Sequence, residues 1–209
     1  MWRELVDRTG ANRAWEVRAA EALWLHGVVA YPTDTLYGLA ADPRSDTAIL
    51  KLYRIKGRPV DRATPLIAAS TDQLRECGAT LTPLAARLSA AFWPGPVTLV
   101  VPAWDGLSLA ALGGGLTAAI RVPDHPVAQT LARIAGYPIT ATSANRTTRL
   151  ATSDPDVVAA ELGADLDGLV DDGWCPGGPP STIVDACGDR PCLVRAGAVP
   201  WERVLESER

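Results

Sequence analysis

Asp46-Thr47-Ala48-Ile49-Leu50-Lys51-Leu52-Tyr53-Arg54-Ile55-Lys56-Gly57-Arg58-Pro59 is the stretch from which the fold class is read. Ile49, Leu52, Tyr53 and Ile55 recur at helical spacing, and Asp46 is placed to cap the helix they predict. Gly57 and Pro59 end it. Glycine admits a close backbone approach, and proline cannot continue a helix. Lys56 and Arg58 are thus held two residues apart on a stiff loop. An ammonium and a guanidinium so placed suit phosphate or carboxylate oxygens. A lone Lys/Arg pair at a helix end is ordinarily solvated, so the surroundings decide its meaning.

Apolar strands flank this helix: Val28-Val29-Ala30-Tyr31 before it and Pro65-Leu66-Ile67-Ala68-Ala69 after it. An amphipathic helix over 13–26, with Trp15, Ala19, Ala22, Leu23 and His26 at helical spacing and Gly27 as its stop, precedes both. Further helices are expected at 72–77, 82–92, 127–135 and 156–162. Further strands are expected at 97–101, 117–122, 138–141, 169–170, 181–185 and 192–195. Strands alternating with helices predict an α/β architecture. Several strands are joined by short loops, so a twisted sheet of mixed parallel and antiparallel pairing, flanked by helices, is expected. Gly113-Gly114-Gly115 lacks the Lys-Ser/Thr of a phosphate loop and reads as a hairpin connection. No repeat or linker divides the chain, so one domain over 1–209 is expected, with its core at about 13–199 and a short polar tail.

Composition narrows the function. The 209 residues are 47% hydrophobic and 21% charged, with a net charge of −4. An anionic ligand must therefore be met by a local group of cations and not by the whole molecule. There is no basic leader before an apolar run and no apolar run long enough to span a bilayer. Cys77, Cys175, Cys187 and Cys192 lack metal-type spacing, and only His26 and His125 are available as histidine ligands. A cytoplasmic chain with reduced thiols and no resident metal site is expected.

Polar side chains recur beside strand ends: Thr35, Arg58, Thr117, Arg121, Ser143, Asn145, Ser181 and Arg195. Thr35 lies in Tyr31-Pro32-Thr33-Asp34-Thr35-Leu36-Tyr37-Gly38, whose plainest reading is a turn capped by Thr and Asp side chains. In the strand 117–122, alternation puts Thr117, Ala119 and Arg121 on one face. No nucleophile–histidine pair stands out; His125 reads as a helix-start residue and His26 as a helix-end residue. Hydroxyls and guanidiniums in this proportion suit an anionic, polyoxygenated ligand better than covalent catalysis.

Seven of these segments occur in an order that resembles the YrdC-like family of threonylcarbamoyl-AMP synthases. They are YPTDTLYG at 31–38, KGRP at 56–59, WPGPVTL at 93–99, RVPDHP at 121–126, TSAN at 142–145, STIVD at 181–185 and Arg195-Ala196-Gly197. The resemblance covers about residues 13–199 and implies a twisted α/β sheet around a concave cationic cavity. It also implies a reaction of L-threonine, bicarbonate and ATP that gives threonylcarbamoyl-AMP and pyrophosphate for N6-threonylcarbamoyladenosine at position 37 of tRNA. Transfer to tRNA would need further proteins, and contact with the tRNA itself is possible in such a family. By this resemblance Lys56 and Arg58 are the catalytic cations. Thr35, Arg121, Ser143 and Ser181 match threonine positions; Arg58, Thr117, Asn145, Ser153 and Arg195 match positions around ATP. Magnesium is expected with the triphosphate, bound through phosphates and water. Where the family has a small Ser-Gly pair after the asparagine, this chain has Thr147-Thr148 following Arg146. The chain resembles the short form of the family.

Two rival readings stand beside this one. A non-catalytic module could hold double-stranded RNA on the same face, but the acidic balance counts against a large basic footprint. Carbamoyl transfer in hydrogenase maturation uses a similar domain, but inside a much larger chain.

Overall fold

The structure is a computed structural model and describes residues 1–208. In chain order the elements are β1 (Trp2–Leu5), α1 (Ala14–Trp24), β2 (Val29–Tyr31), β3 (Gly38–Ala40), α2 (Asp46–Lys56), β4 (Leu66–Ile67), α3 (Thr71–Glu76), α4 (Pro83–Phe92) and β5 (Val97–Pro102). They continue with β6 (Thr117–Arg121), α5 (Pro126–Ala135), β7 (Ile139–Thr140), β8 (Thr142–Ser143), α6 (Pro155–Leu162), β9 (Gly168–Asp171), β10 (Thr182–Asp185), β11 (Cys192–Arg195) and α7 (Trp201–Glu206).

The strands divide into two sheets, where the sequence pattern suggested one. The first runs β1-β9-β2-β3-β8 and the second β11-β10-β5-β6-β4-β7. Both mix parallel pairs (β1–β9, β2–β9, β5–β10, β4–β6) with antiparallel ones (β2–β3, β3–β8, β5–β6, β4–β7, β10–β11). The division is made within five residues, 139–143. Ile139 and Thr140 pair with β4 in the second sheet, and Thr142 and Ser143 pair with β3 in the first. Strands two residues long carry no periodicity, so a change of sheet at Ala141 leaves no mark in the sequence.

Three apolar cores follow from the two sheets. Leu52, Val158 and Leu169 belong to a core packed from α2, α6 and the first sheet. Leu84, Leu88, Leu99, Ile120 and Val184 build another from α4 and the second sheet, which Val204 of α7 completes. The third joins Trp15 and Leu23 of α1, Leu131 of α5, Val29 and Tyr31 of the first sheet, and Ile67 and Ile139 of the second. It therefore fills the seam between the sheets. β1 and α7 lie outside the expected core; β1 pairs in parallel with β9, and Val204 buries the polar tail's one apolar face. The cap of α2 is Ser45, whose hydroxyl accepts from the Ala48 N–H at 3.3 Å; Asp46 is instead the first helical residue.

Thr140 fastens the seam. Its fully buried Oγ1 donates to the Leu39 carbonyl at 2.7 Å and accepts from the Ala41 N–H at 2.8 Å. Its N–H donates to the Ala41 carbonyl at 3.1 Å, and its own carbonyl accepts from the Tyr31 hydroxyl at 3.0 Å. One residue of the second sheet thus makes four hydrogen bonds to the first. Thr140→Val keeps the shape and removes two of them, leaving buried backbone groups short of partners, so a loss of about 1–3 kcal/mol is expected. Thr140→Ser should retain most of the stability; equal urea midpoints for wild type and the valine variant would show that the hydroxyl holds nothing.

Candidate functional site

The seam opens into a cavity of about 530 Å³. Its walls come from both sheets: Thr33, Thr35, Tyr37 and Gly38 from the β2–β3 segment, Thr142 and Ser143 of β8, Leu66 of β4, Thr98 of β5, Arg121 of β6, Ser181 and Ile183 at β10, and Arg195 of β11. Arg58 reaches it from the loop after α2. Six of the residues expected from the sequence therefore share one hollow: Thr35, Arg58, Arg121, Ser143, Ser181 and Arg195.

Lys56 and Asn145 lie beneath the wall, not in it. Lys56 is 4% exposed, and its Nζ donates to the carbonyls of Ser143 at 2.5 Å and Asn145 at 2.8 Å, with Asn145 Oδ1 at 3.4 Å. The Ser143 hydroxyl donates to Asn145 Oδ1 at 2.5 Å, and Asn145 Nδ2 donates to the carbonyls of Arg146 and Arg149. The lacing is reciprocal. The last carbonyls of a helix lack intrahelical partners. Here the Lys56 carbonyl accepts from both the N–H and the hydroxyl of Thr147, and the Ile55 carbonyl accepts from Arg146 Nη1. Thr147 is thus a second donor to the helix end. Gly57 at φ +60° closes α2 in the left-handed conformation that glycine adopts without strain.

Arg58 is half-buried. Its Nη2 donates to the Ala63 carbonyl at 2.9 Å, and its guanidinium sits 5.7 Å from the Tyr53 ring centre. Tyr53 in turn donates to the Arg62 carbonyl, which folds the 59–64 loop back over α2. The glycine run meets this loop: a side chain at Gly113 would strike the Ala63 backbone nitrogen at 2.4 Å. That close approach, and not phosphate, explains Gly113.

Arg121 is 6% exposed, and its Nη1 donates to both carboxylate oxygens of Asp34, at 2.7 and 2.9 Å. The wall residues Thr33, Thr98 and Thr142, and Asp34 bonded to Arg121, are polar residues of the site that the sequence did not single out. Asp34 passed as a turn residue; Thr98 is a single hydroxyl in an apolar strand, and its Oγ1 lies 2.8 Å from Ser181 Oγ. Arg195 Nη2 donates to the Ser181 carbonyl at 2.6 Å.

Thr117 and Ser153 are not brought to the cavity. Thr117 shares its face of β6 with Arg121 but lies four residues, about 13 Å, up the strand, opposite Pro102 and exposed. Ser153 is half-buried and offers its backbone carbonyl to the Cys175 N–H, while Asp154 caps α6. His125 stands before α5 with Nε2 3.8 Å from Asp172, outside the cavity wall.

The cations carry an electrostatic penalty. Burial first, and the neighbouring Arg58 second, bring the Lys56 ammonium down to about 8. Desolvation lowers Arg58, and desolvation followed by Arg121 lowers Arg195, although that residue as a whole stays exposed. Among the described residues no carboxylate lies within ion-pair distance of Lys56, Arg58 or Arg195. Groups in this state are relieved by an anion. No group of three or more His, Cys, Asp or Glu among the described residues is placed to hold a metal.

The family model named for Sua5, YciO and YrdC, described as "Telomere recombination", matches residues 21–197. The chain belongs to the Sua5/YciO/YrdC family. Among its relatives, the threonylcarbamoyl-AMP synthase of Vibrio cholerae is 39% identical over 81% of this chain and 91% of that protein. That of Bacillus subtilis is 36% identical over 96% of this chain and 58% of that protein. The crystal structure of Pyrococcus abyssi Sua5 complexed with L-threonine superposes with a TM-score of 0.87 at 31% identity, covering 99% of this chain and 59% of that one. The chain thus spans somewhat more than half the length of the Bacillus and Pyrococcus relatives. The superposition shows that this chain shares its fold with the Pyrococcus structure.

The lowered Lys56 proton has a testable sign. The unfolded lysine, near 10.5, holds its proton more tightly than the folded one, near 8. The cost of burying the charge is fully present below 8 and is relieved as pH rises from 8 to 10.5, where the unfolded chain alone binds the proton. Unfolding free energies of wild type and Lys56→Met should therefore diverge in favour of wild type as pH climbs through 8. A difference that does not vary with pH would show that burial leaves this proton untouched.

Proposed function

We propose that this chain is a threonylcarbamoyl-AMP synthase, joining L-threonine, bicarbonate or CO2, and ATP into threonylcarbamoyl-AMP and pyrophosphate. The observation that carries the reading is the convergence of Arg58, Arg121 and Arg195 with the hydroxyls of Thr35, Ser143 and Ser181 on one cavity. A pocket of this size accommodates a small-molecule ligand set. Relatives bearing that activity in their names, one of them almost wholly covered by this chain, support it.

Arg58, desolvated and without a carboxylate, receives phosphate oxygens where negative charge builds. Arg195 serves the adenylate side. Arg121 offers its remaining guanidinium nitrogens to the threonine carboxylate, and Thr35, Ser143 and Ser181 orient the amino acid. Lys56 and Asn145 act from below by fixing the carbonyls and hydroxyl of the 143–149 segment. Threonine's uncharged amine adds to carbon dioxide and gives up its proton to water, and the resulting carbamate oxygen attacks the α-phosphorus as pyrophosphate leaves. The protein's contribution is placement and charge stabilisation, and no side chain of the cavity is needed as a base. Magnesium would enter with the triphosphate and be held through phosphates and water, since among the described residues no cluster of His, Cys, Asp or Glu is placed to hold a metal.

In this reading the product passes, in the cytoplasm, to separate machinery that modifies tRNA. No helix among the described residues is long and apolar enough to cross a membrane. The RNA-binding alternative lacks support from the net charge of −4.

Pyrophosphate release that requires threonine, bicarbonate and ATP together tests the proposal. Arg58→Ala should lower kcat/KM for that release more than tenfold, at least about 1.4 kcal/mol of barrier. Arg58→Lys, which keeps charge and loses the planar fork, should fall between. Near-normal release by the alanine variant would remove Arg58 from the mechanism.

A further inference from the structure

Three arginines line one cavity, and among the described residues only one has a carboxylate partner. Asp34 engages Arg121 through Nη1 alone, with side chains 12% and 7% exposed. The pair crosses the seam, since Asp34 stands between β2 and β3 and Arg121 ends β6. Its position is built. The Thr33 hydroxyl donates to the Leu36 carbonyl at 2.7 Å and accepts from the Thr35 N–H at 3.2 Å, which fixes the loop around Asp34. The Gly95 carbonyl meets Arg121 Nη1 at 3.5 Å from the other side.

We propose that Asp34 is a specificity-determining residue that sorts the anions of this cavity, keeping Arg121 for an amino-acid carboxylate and turning polyphosphate away from it. The inference rests on the synthase reading for the identity of the two ligands. A guanidinium in a partly desolvated hollow favours whichever ligand carries the most negative charge. Unpaired, Arg121 would attract a triphosphate as readily as Arg58 does, and the nucleotide would occupy the amino-acid end. Paired with Asp34, it is one half of a neutral couple. The other guanidinium nitrogens still donate hydrogen bonds, so a zwitterion with one carboxylate loses little. A polyanion gains no net attraction there, because the Asp34 carboxylate paired with Arg121 cancels the guanidinium's charge. Discrimination is thus achieved by a repulsive element placed beside the attractive one. Arg58 and Arg195, left without carboxylates, remain the attractive end for phosphates.

A purely structural ion pair makes a different forecast: its loss would weaken the fold and every ligand together. Inorganic pyrophosphate is the probe, titrated calorimetrically with and without L-threonine. In the wild type, saturating pyrophosphate should change the threonine Kd less than threefold. In Asp34→Asn, which keeps the shape and an acceptor but loses the charge, pyrophosphate should bind at least tenfold tighter and raise the apparent threonine Kd at least tenfold. Asp34→Glu should restore the wild-type pattern. Unchanged pyrophosphate affinity in Asp34→Asn overturns the inference, and so does competition between the two ligands in the wild type, an arm that needs no variant to fold. If threonine fails to bind the wild type while Asp34→Asn still gains pyrophosphate affinity, the substrate reading falls and the sorting role stands. If threonine binds and the pyrophosphate arm is flat, the sorting role falls and the substrate reading stands.

Discussion

A hollow between two sheets exists only while the sheets keep their separation, and Thr140 sets it. Its hydroxyl and backbone tie β7 of one sheet to the Leu39–Ala41 segment of the other, with no solvent to compete for the bonds. The third apolar core backs the same seam with α1 and α5. Everything that faces the cavity is referenced to this junction: β8 begins two residues after Thr140, and the Thr33–Gly38 segment leads directly into the strand that Thr140 holds. The ligand-facing groups are few; the frame that spaces them is made of backbone bonds and buried aliphatic contacts.

Charge is the second organising constraint. A chain with a net charge of −4 nevertheless buries Lys56 and Arg121 and half-buries Arg58 around one seam. Each is compensated differently. Lys56 has carbonyl dipoles, Arg121 has Asp34, and Arg58 has a carbonyl and an aromatic face. Desolvating a cation costs on the order of several kcal/mol when no anion meets it. The fold tolerates that cost at Lys56 because the ammonium also closes the 143–149 segment against the end of α2. At Arg58 the cost is left for a ligand to offset.

Much of this was legible in the sequence. Helices of ten residues or so with caps, such as the one ending in Gly57 and the one opening with Thr82-Pro83, stood out because periodicity and termini agreed. Arg121 and Ser181 were legible because polar side chains at strand ends have few structural reasons to be there, and Arg58 because a stiff loop after α2 holds it beside a second cation. What could not be read was short or depended on distance. β7 and β8 are too brief for a pattern, so the second sheet was invisible. Thr117 matched the correct face of its strand but the wrong end. Asp34 had an adequate local explanation as a turn residue, and only the fold brings it to Arg121. Lys56 carried the right charge for a phosphate ligand, yet its side chain is committed to carbonyls that lie 87 and 89 residues further along the chain.

The central claim is that one cavity at the sheet seam holds a nucleotide and a small amino acid at once, with Lys56 supporting from below. A crystal structure of the protein with a non-hydrolysable ATP analogue and L-threonine together tests it most directly. The account predicts both ligands between the sheets, phosphates on Arg58, the amino-acid carboxylate on Arg121, and Lys56 still bonded to the carbonyls of Ser143 and Asn145. Ligands bound elsewhere, or an amino acid and a nucleotide that exclude one another from the seam, would contradict it.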